Sequence, residues 1–182
     1  MFSFPGSLGA GHRLAPTVWD MVIFLAGRRG SGKTTLARGL QTAGFSWVHA
    51  ATIAEEHDLV KDELGVYLGV EIPLRDAIEA LDGDVVVDGC PRTREQASMI
   101  NALSEQRPCC VIMLDATEEL SGQRMLERGN AAITVQRAHV RWTAVEYPAL
   151  KTLGHLVLDA TRTPEDLLTE VLRRCSNGTR RP

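Results

Sequence analysis

The sequence predicts an α/β three-layer sandwich, in which a mostly parallel five-stranded sheet is flanked by helices. Short apolar runs recur along the chain without strict alternation, as strands buried on both faces of a sheet require. Each run is followed by a stretch of helical character, and this alternation favours parallel strands joined by right-handed crossovers. The 182 residues, 44% of them hydrophobic, suit a single domain with a sizeable core.

Five segments have the composition of buried strands. Four are clear, and they cover residues 21–26, 84–87, 109–114 and 155–158. A fifth over 45–49 gives a weaker signal, because its apolar residues are interrupted by polar ones.

Helix start signals follow four of these segments. A threonine that can accept a backbone N–H three residues later is typical of a helix N-terminus, and a Glu or Gln at that later position completes a capping box. The signals are Thr52 with Glu55, Thr93 with Gln96, Thr117 with Leu120, and Thr163 ahead of Pro164.

A glycine-rich segment lies between the first predicted strand and a helix predicted over 34–41. Gly27 and Gly32 bracket four residues, and Lys33 and Thr34 follow, which is the P-loop pattern in its strand-to-helix context. In such a loop backbone N–H groups surround an anion, the lysine approaches the β- and γ-phosphates, and the threonine hydroxyl ligates Mg²⁺. The predicted nucleotide-binding residues are Gly27, Gly30, Ser31, Gly32, Lys33, Thr34 and Thr35.

A second motif, Asp88-Gly89-Cys90-Pro91-Arg92-Thr93, closes the third predicted strand, and Gln96-Ala97 follows it. Carboxyl ends of parallel strands meet at one sheet edge, so Asp88 can hold the water shell of a metal beside the P-loop. The chain here resembles the adenylate kinase family of nucleoside monophosphate kinases, whose element reads Asp-Gly-Phe-Pro-Arg-Thr. The resemblance implies that Arg92 grips the acceptor phosphate and that Gln96 hydrogen-bonds the acceptor base.

Two arginines, Arg124 and Arg128, lie near the end of a helix predicted over 117–129. Residues four apart share a helix face, and guanidinium groups suit the dispersed charge of a moving phosphoryl group. The resemblance implies that Arg124 lies against the ATP base and that Arg128 reaches phosphate. A short lid is expected over about 129–140. Either Arg137 or Arg141 completes the clamp, and we favour Arg137.

The resemblance weakens between residues 50 and 79. Where the family carries an arginine for the acceptor phosphate, this chain has the acids Glu55 and Glu56. Ile72-Pro73 stands for a Val-Pro step of the family, and Arg75 is a candidate replacement cation. An acceptor-binding insert is therefore expected over about 50–80, with an incomplete phosphate site.

The P-loop and the resemblance to the adenylate kinase family together imply a nucleoside monophosphate kinase that transfers the ATP γ-phosphate to a nucleotide monophosphate, with ATP and Mg²⁺ as cofactors. One alternative is a P-loop kinase of another small metabolite or modified nucleotide. Another is a catalytically weak nucleotide-binding subunit that docks a protein partner through residues 1–20. The predicted catalytic residues are Lys33, Arg92, Arg124, Arg128 and Arg137, and the metal-binding residues are Thr34 and Asp88.

Composition argues against several other classes. The net charge of −3 and the 5% aromatic content argue against a nucleic-acid polymer as partner, and no apolar run is long enough to cross a membrane. The four cysteines lack metal-ligand spacing, so we expect free thiols in a reducing compartment, the cytoplasm. We also expect a monomer. Organelle targeting through an N-terminal extension, 1–20, is the alternative. The kinase domain is expected over 21–175, with a flexible tail over 176–182.

Overall fold

A computed structural model describes residues 20–178, with side chains to residue 175. In this part of the chain the sheet has five strands, all parallel, in the order β2-β3-β1-β4-β5. The strands are β1 (Val22–Ala26), β2 (Ser46–His49), β3 (Val85–Asp88), β4 (Cys109–Asp115) and β5 (His155–Asp159). The predicted parallel α/β sandwich is therefore confirmed.

Helices connect the strands and cover both faces of the sheet. They are α1 (Lys33–Thr42), α2 (Ala50–Glu56), α3 (Glu71–Glu79), α4 (Arg94–Ser104), α5 (Glu118–Glu127), α6 (Ala132–Arg141), α7 (Tyr147–Leu150) and α8 (Pro164–Gly178). A π-helical turn, Trp142–Glu146, joins α6 to α7 without a break.

Alternate residues of the central strand supply two separate cores. Phe24 packs on the side of α2, α3, α4 and α7, whereas Ile23 and Leu25 pack on the side of α1 and α8. All five residues of β1 are buried, which explains the unbroken apolar run in the sequence. β2 lies at an edge of the sheet and is only half-buried, so its signal is weaker.

Three of the four predicted helix caps form. The hydroxyl oxygens of Thr93, Thr117 and Thr163 accept the backbone N–H three residues later, at 3.3, 3.2 and 3.1 Å. The cap predicted at Thr52 is wrong, because β2 runs directly into α2 and His49 is the N-cap residue.

The structure shows which elements occupy two of the predicted segments. The stretch predicted as a short lid consists mostly of α6, which has no buried residue. The helix α8 continues to Gly178, three residues into the predicted tail. The predicted extension lies outside the described residues apart from Asp20, and so do residues 179–182 of the tail.

All four cysteines are free, as predicted. Burial raises the pKa of Cys109 to about 11 and that of Cys175 to about 12, so these thiols stay protonated and unreactive near neutral pH. None of the helices within residues 20–178 is long and apolar enough to span a membrane.

Arg107 ties together the end of the sheet opposite to the carboxyl ends of the strands. Its guanidinium donates to the carbonyl oxygens of Leu81 at 3.1 Å and Ile78 at 3.3 Å, and also to that of Gly83. It pairs with the Asp20 carboxylate at 2.8 Å. The side chain is nearly buried, so its loss would remove the donor to the carbonyl oxygens of Leu81 and Gly83, whereas Ile78 keeps the backbone N–H of Leu81.

We expect Arg107→Met to lower the free energy of unfolding by about 2–3 kcal/mol, because partly buried carbonyl acceptors would lose their donor and the ion pair with Asp20 would be lost. Urea unfolding with an unchanged m-value would measure this loss. The exposed Arg38→Met is the control and should change stability by less than about 0.5 kcal/mol. Equal effects in the two variants would contradict the assignment.

Candidate functional site

A cleft of about 380 Å³ opens at the carboxyl edge of the sheet. β1 lies between β3 and β4, so the loop after β1 emerges where the strand order reverses, the usual place for a ligand in an open α/β sheet. The cleft walls come from this loop, from the end of β3, from the segment 49–67 and from the π-helical turn.

The P-loop is held in a shape that only glycine permits at two positions. Gly27 has a φ of +134°, and a Cβ there would lie 2.5 Å from the carbonyl oxygen of Leu114. Gly32, with a φ of +102°, caps α1 and has open space where a Cβ would be. Of the predicted loop residues, Ser31 is buried beneath the loop, and Gly27, Gly30, Gly32, Lys33, Thr34 and Thr35 line the cleft. This open cradle at the start of a helix fits a phosphate group.

Lys33 is folded back along the loop. Its ammonium group donates to the carbonyl oxygens of Gly27 at 2.6 Å and Arg28 at 2.8 Å. Burial lowers its pKa from 10.5 to about 8, although the carboxylates of Asp88 and Glu146 oppose this shift. A bound phosphate would add negative charge beside this ammonium group and so favour its protonated form.

Thr34 and Asp88 meet at the floor of the cleft. The Thr34 hydroxyl donates to Asp88 Oδ2 at 2.6 Å, and Asp88 is buried at the end of β3. Hydroxyl and carboxylate oxygens are the donors that Mg²⁺ prefers. No group of three or more His, Cys, Asp or Glu side chains within residues 20–175 could hold a metal. The pair therefore fits a magnesium ion whose remaining ligands are phosphate and water.

Arg92 lines the cleft but Gln96 does not. Arg92 Nε donates to the carbonyl oxygen of Gly89 at 3.0 Å. Gln96 is 2% exposed, and its Oε1 accepts the Arg92 backbone N–H at 2.7 Å. In this structure Gln96 holds the backbone of Arg92, and its role at the acceptor base stays a prediction.

Arg124 and Arg128 lie on the other side of the P-loop. They line a second cavity of about 180 Å³ together with Arg162, Pro164 and Leu167. Arg124 donates to the carbonyl oxygen of Ala160 at 3.1 Å, whereas the exposed Arg128 borders both cavities. This arrangement is compatible with the predicted contacts of Arg124 with the nucleotide base and of Arg128 with phosphate.

The structure places the two candidates for the last arginine of the clamp, Arg137 and Arg141, in different surroundings. Arg137 is exposed on α6 and lies outside both cavities. Arg141, one turn later, lines the cleft and pairs with Glu146 at 2.9 Å between Nε and Oε1. Arg75, the candidate cation in the insert, pairs instead with Glu79 at 3.1 Å on the surface of α3.

The sequence reasoning missed most of the acceptor-side wall. Tyr67 donates its hydroxyl to Glu55 Oε1 at 2.7 Å, and the Lys61 ammonium lies 4.4 Å from the centre of the Tyr67 ring. The acid at Glu55, where the resembled family has an arginine, was the signal that could have identified this wall. Glu146 carried no such signal, because nothing in the sequence indicates a π-helical turn.

The solved structures share the fold of this chain at low sequence identity. A gluconokinase from Sinorhizobium meliloti is 17% identical, with a TM-score of 0.62, over 87% of this chain and 93% of that one. A shikimate kinase from Acinetobacter baumannii, in complex with shikimate, is 17% identical, with a TM-score of 0.64, over 88% and 95%. An unliganded sugar kinase from Janibacter sp. is 22% identical, with a TM-score of 0.59, over 84% and 92%.

Sequence comparison assigns the family. No curated protein matches the chain. A family model described as an AAA domain matches residues 23–141, which include the P-loop, the end of β3 and α5. Since this match spans more than half of the 182 residues, the chain belongs to the AAA domain family.

Proposed function

We propose that this protein is an ATP-dependent kinase that phosphorylates a hydroxyl group of a small metabolite. The observation that carries the proposal is a cleft in which a P-loop faces a wall made of a carboxylate and a phenol, Glu55 and Tyr67. The solved kinases of similar fold act, by their names, on gluconate, shikimate or a sugar, and this similarity supports the proposal.

The donor half supports phosphoryl transfer because it offers separate groups for the phosphates and the metal. Lys33 and the P-loop N–H groups would hold the β- and γ-phosphates of ATP, and Thr34 and Asp88 would hold Mg²⁺. The metal, when bound, would neutralise charge on the phosphates. Arg128 borders the same cleft and would stabilise the equatorial oxygens of the transferred group.

The acceptor half favours hydroxyl groups over a phosphate. Glu55 is oriented by Tyr67, and its carboxylate can accept a hydrogen bond from a hydroxyl but would repel a phosphate dianion. In a direct transfer, the acceptor oxygen bonds to the γ-phosphorus as the bond to the β–γ bridging oxygen of ATP breaks. ADP leaves, and the hydroxyl proton passes to a cleft carboxylate or to water.

A nucleoside monophosphate remains a second candidate acceptor. Arg92 follows Asp88 in the order that the adenylate kinase resemblance implies, and it faces the cleft. The resemblance to adenylate kinases is not confirmed by the comparisons, so this candidate rests on Arg92 alone.

An acceptor panel distinguishes the two candidates. With ATP and Mg²⁺, we expect phosphorylation of one or more hydroxylated metabolites, with gluconate, shikimate and simple sugars as the first set, and at least about tenfold lower kcat/KM for AMP, CMP, GMP and UMP. An enzyme-coupled assay of ADP release measures kcat/KM for each acceptor, and mass spectrometry identifies the phosphorylated product. Efficient formation of a nucleoside diphosphate would favour the second candidate. Tight ATP binding without any transfer would favour a regulatory subunit.

Replacement of Lys33 should separate activity from stability. We expect Lys33→Met to lower transfer by at least about a hundredfold, because a cation at the phosphates is lost. Below pH 8 the variant should be more stable than the wild type by about 1–2 kcal/mol, because the folded protein no longer holds a desolvated ammonium group.

The sign of the pH dependence follows from the lowered pKa. Between pH 8 and pH 10 the unfolded wild type binds more protons at Lys33 than the folded wild type does. The free energy of unfolding of the wild type therefore rises with pH, and its difference from that of Lys33→Met becomes smaller. Urea unfolding of both proteins at pH 7, 9 and 10 measures this gap in free energy of unfolding. A gap that is constant or widens with pH would contradict the assigned burial of Lys33.

Glu55 should matter for acceptor use but not for ATP. We expect Glu55→Gln to lower kcat/KM for the best hydroxyl acceptor about tenfold or more, because a charge-assisted hydrogen bond is lost, and to leave ATP affinity within about twofold. Glu56→Gln removes the same charge one residue away, outside the cleft, and should have no such effect. Equal losses in both variants would point to a general charge effect.

A further inference from the structure

Arg141 and Glu146 are brought together by the π-helical turn. They are five residues apart, and in an α-helix of 3.6 residues per turn such residues lie roughly 140° apart around the axis. In the turn Trp142–Glu146 the backbone N–H of Tyr147 donates to the carbonyl oxygen of Trp142, five residues earlier. This wider turn stacks residues five apart, so both side chains reach the cleft on one face.

Glu146 is a buried carboxylate between two arginines of the cleft. The residue is 6% exposed, and its Oε1 lies 2.9 Å from Arg141 Nε and 3.9 Å from Arg92 Nε. Glu146 Oε1 and Arg141 Nε form an ion pair, but within the described residues neither atom makes a well-aligned hydrogen bond. A buried polar atom without a full partner is costly and is commonly retained for function.

Arg141 is also fixed to the insert across the cleft. Its Nη1 lies 3.4 Å from the carbonyl oxygens of Leu64 and Gly65. The arginine therefore cannot follow an incoming anion without breaking contacts on two sides. Glu146 is equally constrained, because it is buried at the end of a continuous helix.

We propose that Glu146 acts as an internal anion that occupies Arg141 and Arg92, so that the cleft rejects acceptors carrying a phosphate and admits acceptors that present hydroxyl groups. A phosphate at these arginines would have to displace a buried carboxylate or lie against it, whereas a hydroxyl group would not. The effect on acceptor choice rests on the proposed kinase function. Under that function, Glu146 is a specificity-determining residue.

Inorganic phosphate is the probe that tests the proposal without a known acceptor. The full chain is first saturated with Mg²⁺ and a non-hydrolysable ATP analogue, so that added phosphate does not report on the P-loop. Phosphate binding is then followed by NMR at the arginine Nε–H groups, assigned with Arg141→Lys and Arg92→Lys. We expect Glu146→Gln to bind phosphate at least about tenfold more tightly than the wild type, because the competing charge is gone.

A matched control is available on α8. Glu170 also pairs with two arginines, Arg173 at 2.8 Å and Arg174 at 2.5 Å, but it lies outside the cleft. Glu170→Gln should leave phosphate affinity at the cleft unchanged. The double variant Arg141→Gln/Glu146→Gln should not bind phosphate more tightly than the wild type, because the arginine that binds phosphate is removed together with the competing carboxylate.

Glu146→Asp provides a second variant if Glu146→Gln does not fold. It keeps the charge and withdraws it by one methylene, so we expect a smaller but measurable gain in phosphate affinity. Phosphate affinities within twofold of the wild type in the folded variants would overturn the proposal, as would a gain that survives in the double variant. If the wild type phosphorylates no acceptor but the variants show these gains in phosphate affinity, the proposed kinase function fails and the role of Glu146 stands.

Discussion

The P-loop must keep its own N–H groups turned towards an anion, and the rest of the fold supplies the rigid frame that this shape requires. β1 is buried on both faces, so the loop begins from a strand that cannot shift. β4 closes one side, since Gly27 lies against the carbonyl oxygen of Leu114. Helix α5 contacts the P-loop on another side, where the Ser121 hydroxyl donates to the carbonyl oxygen of Arg29. The central strand order is therefore a condition for the phosphate cradle.

Features encoded by neighbouring residues could be predicted from the sequence. The strands, the caps at Thr93 and Thr117 and the P-loop each depend on a few consecutive residues, and the structure has them. Side-chain direction was harder. Gln96 follows Arg92 at the spacing the motif implies, yet it turns beneath the backbone, where a buried amide finds a partner. The cap at Thr52 is absent because α2 already begins at Ala50, so that His49 is the N-cap residue and Thr52 lies within the helix.

The acceptor side could not be predicted because it is assembled from distant segments. Glu55 comes from α2, Tyr67 from the loop that follows and Arg141 from the end of α6, and none of them belongs to a local motif. Helical periodicity of 3.6 residues cannot pair Arg141 with Glu146, so the sequence carried no signal of this ion pair in the cleft. The result is a cleft whose cations are partly compensated by its own carboxylates.

The segments around the cleft are also linked to one another. The guanidinium of Arg28, in the P-loop, lies 5.6 Å from the centre of the Trp142 ring in the π-helical turn, and Arg141 at the start of that turn contacts the carbonyl oxygens of Leu64 and Gly65. Donor loop, turn and insert therefore form one continuous chain of contacts. Occupancy of the donor site and occupancy of the acceptor site should accordingly be thermodynamically coupled, with each ligand altering the affinity for the other by the same factor.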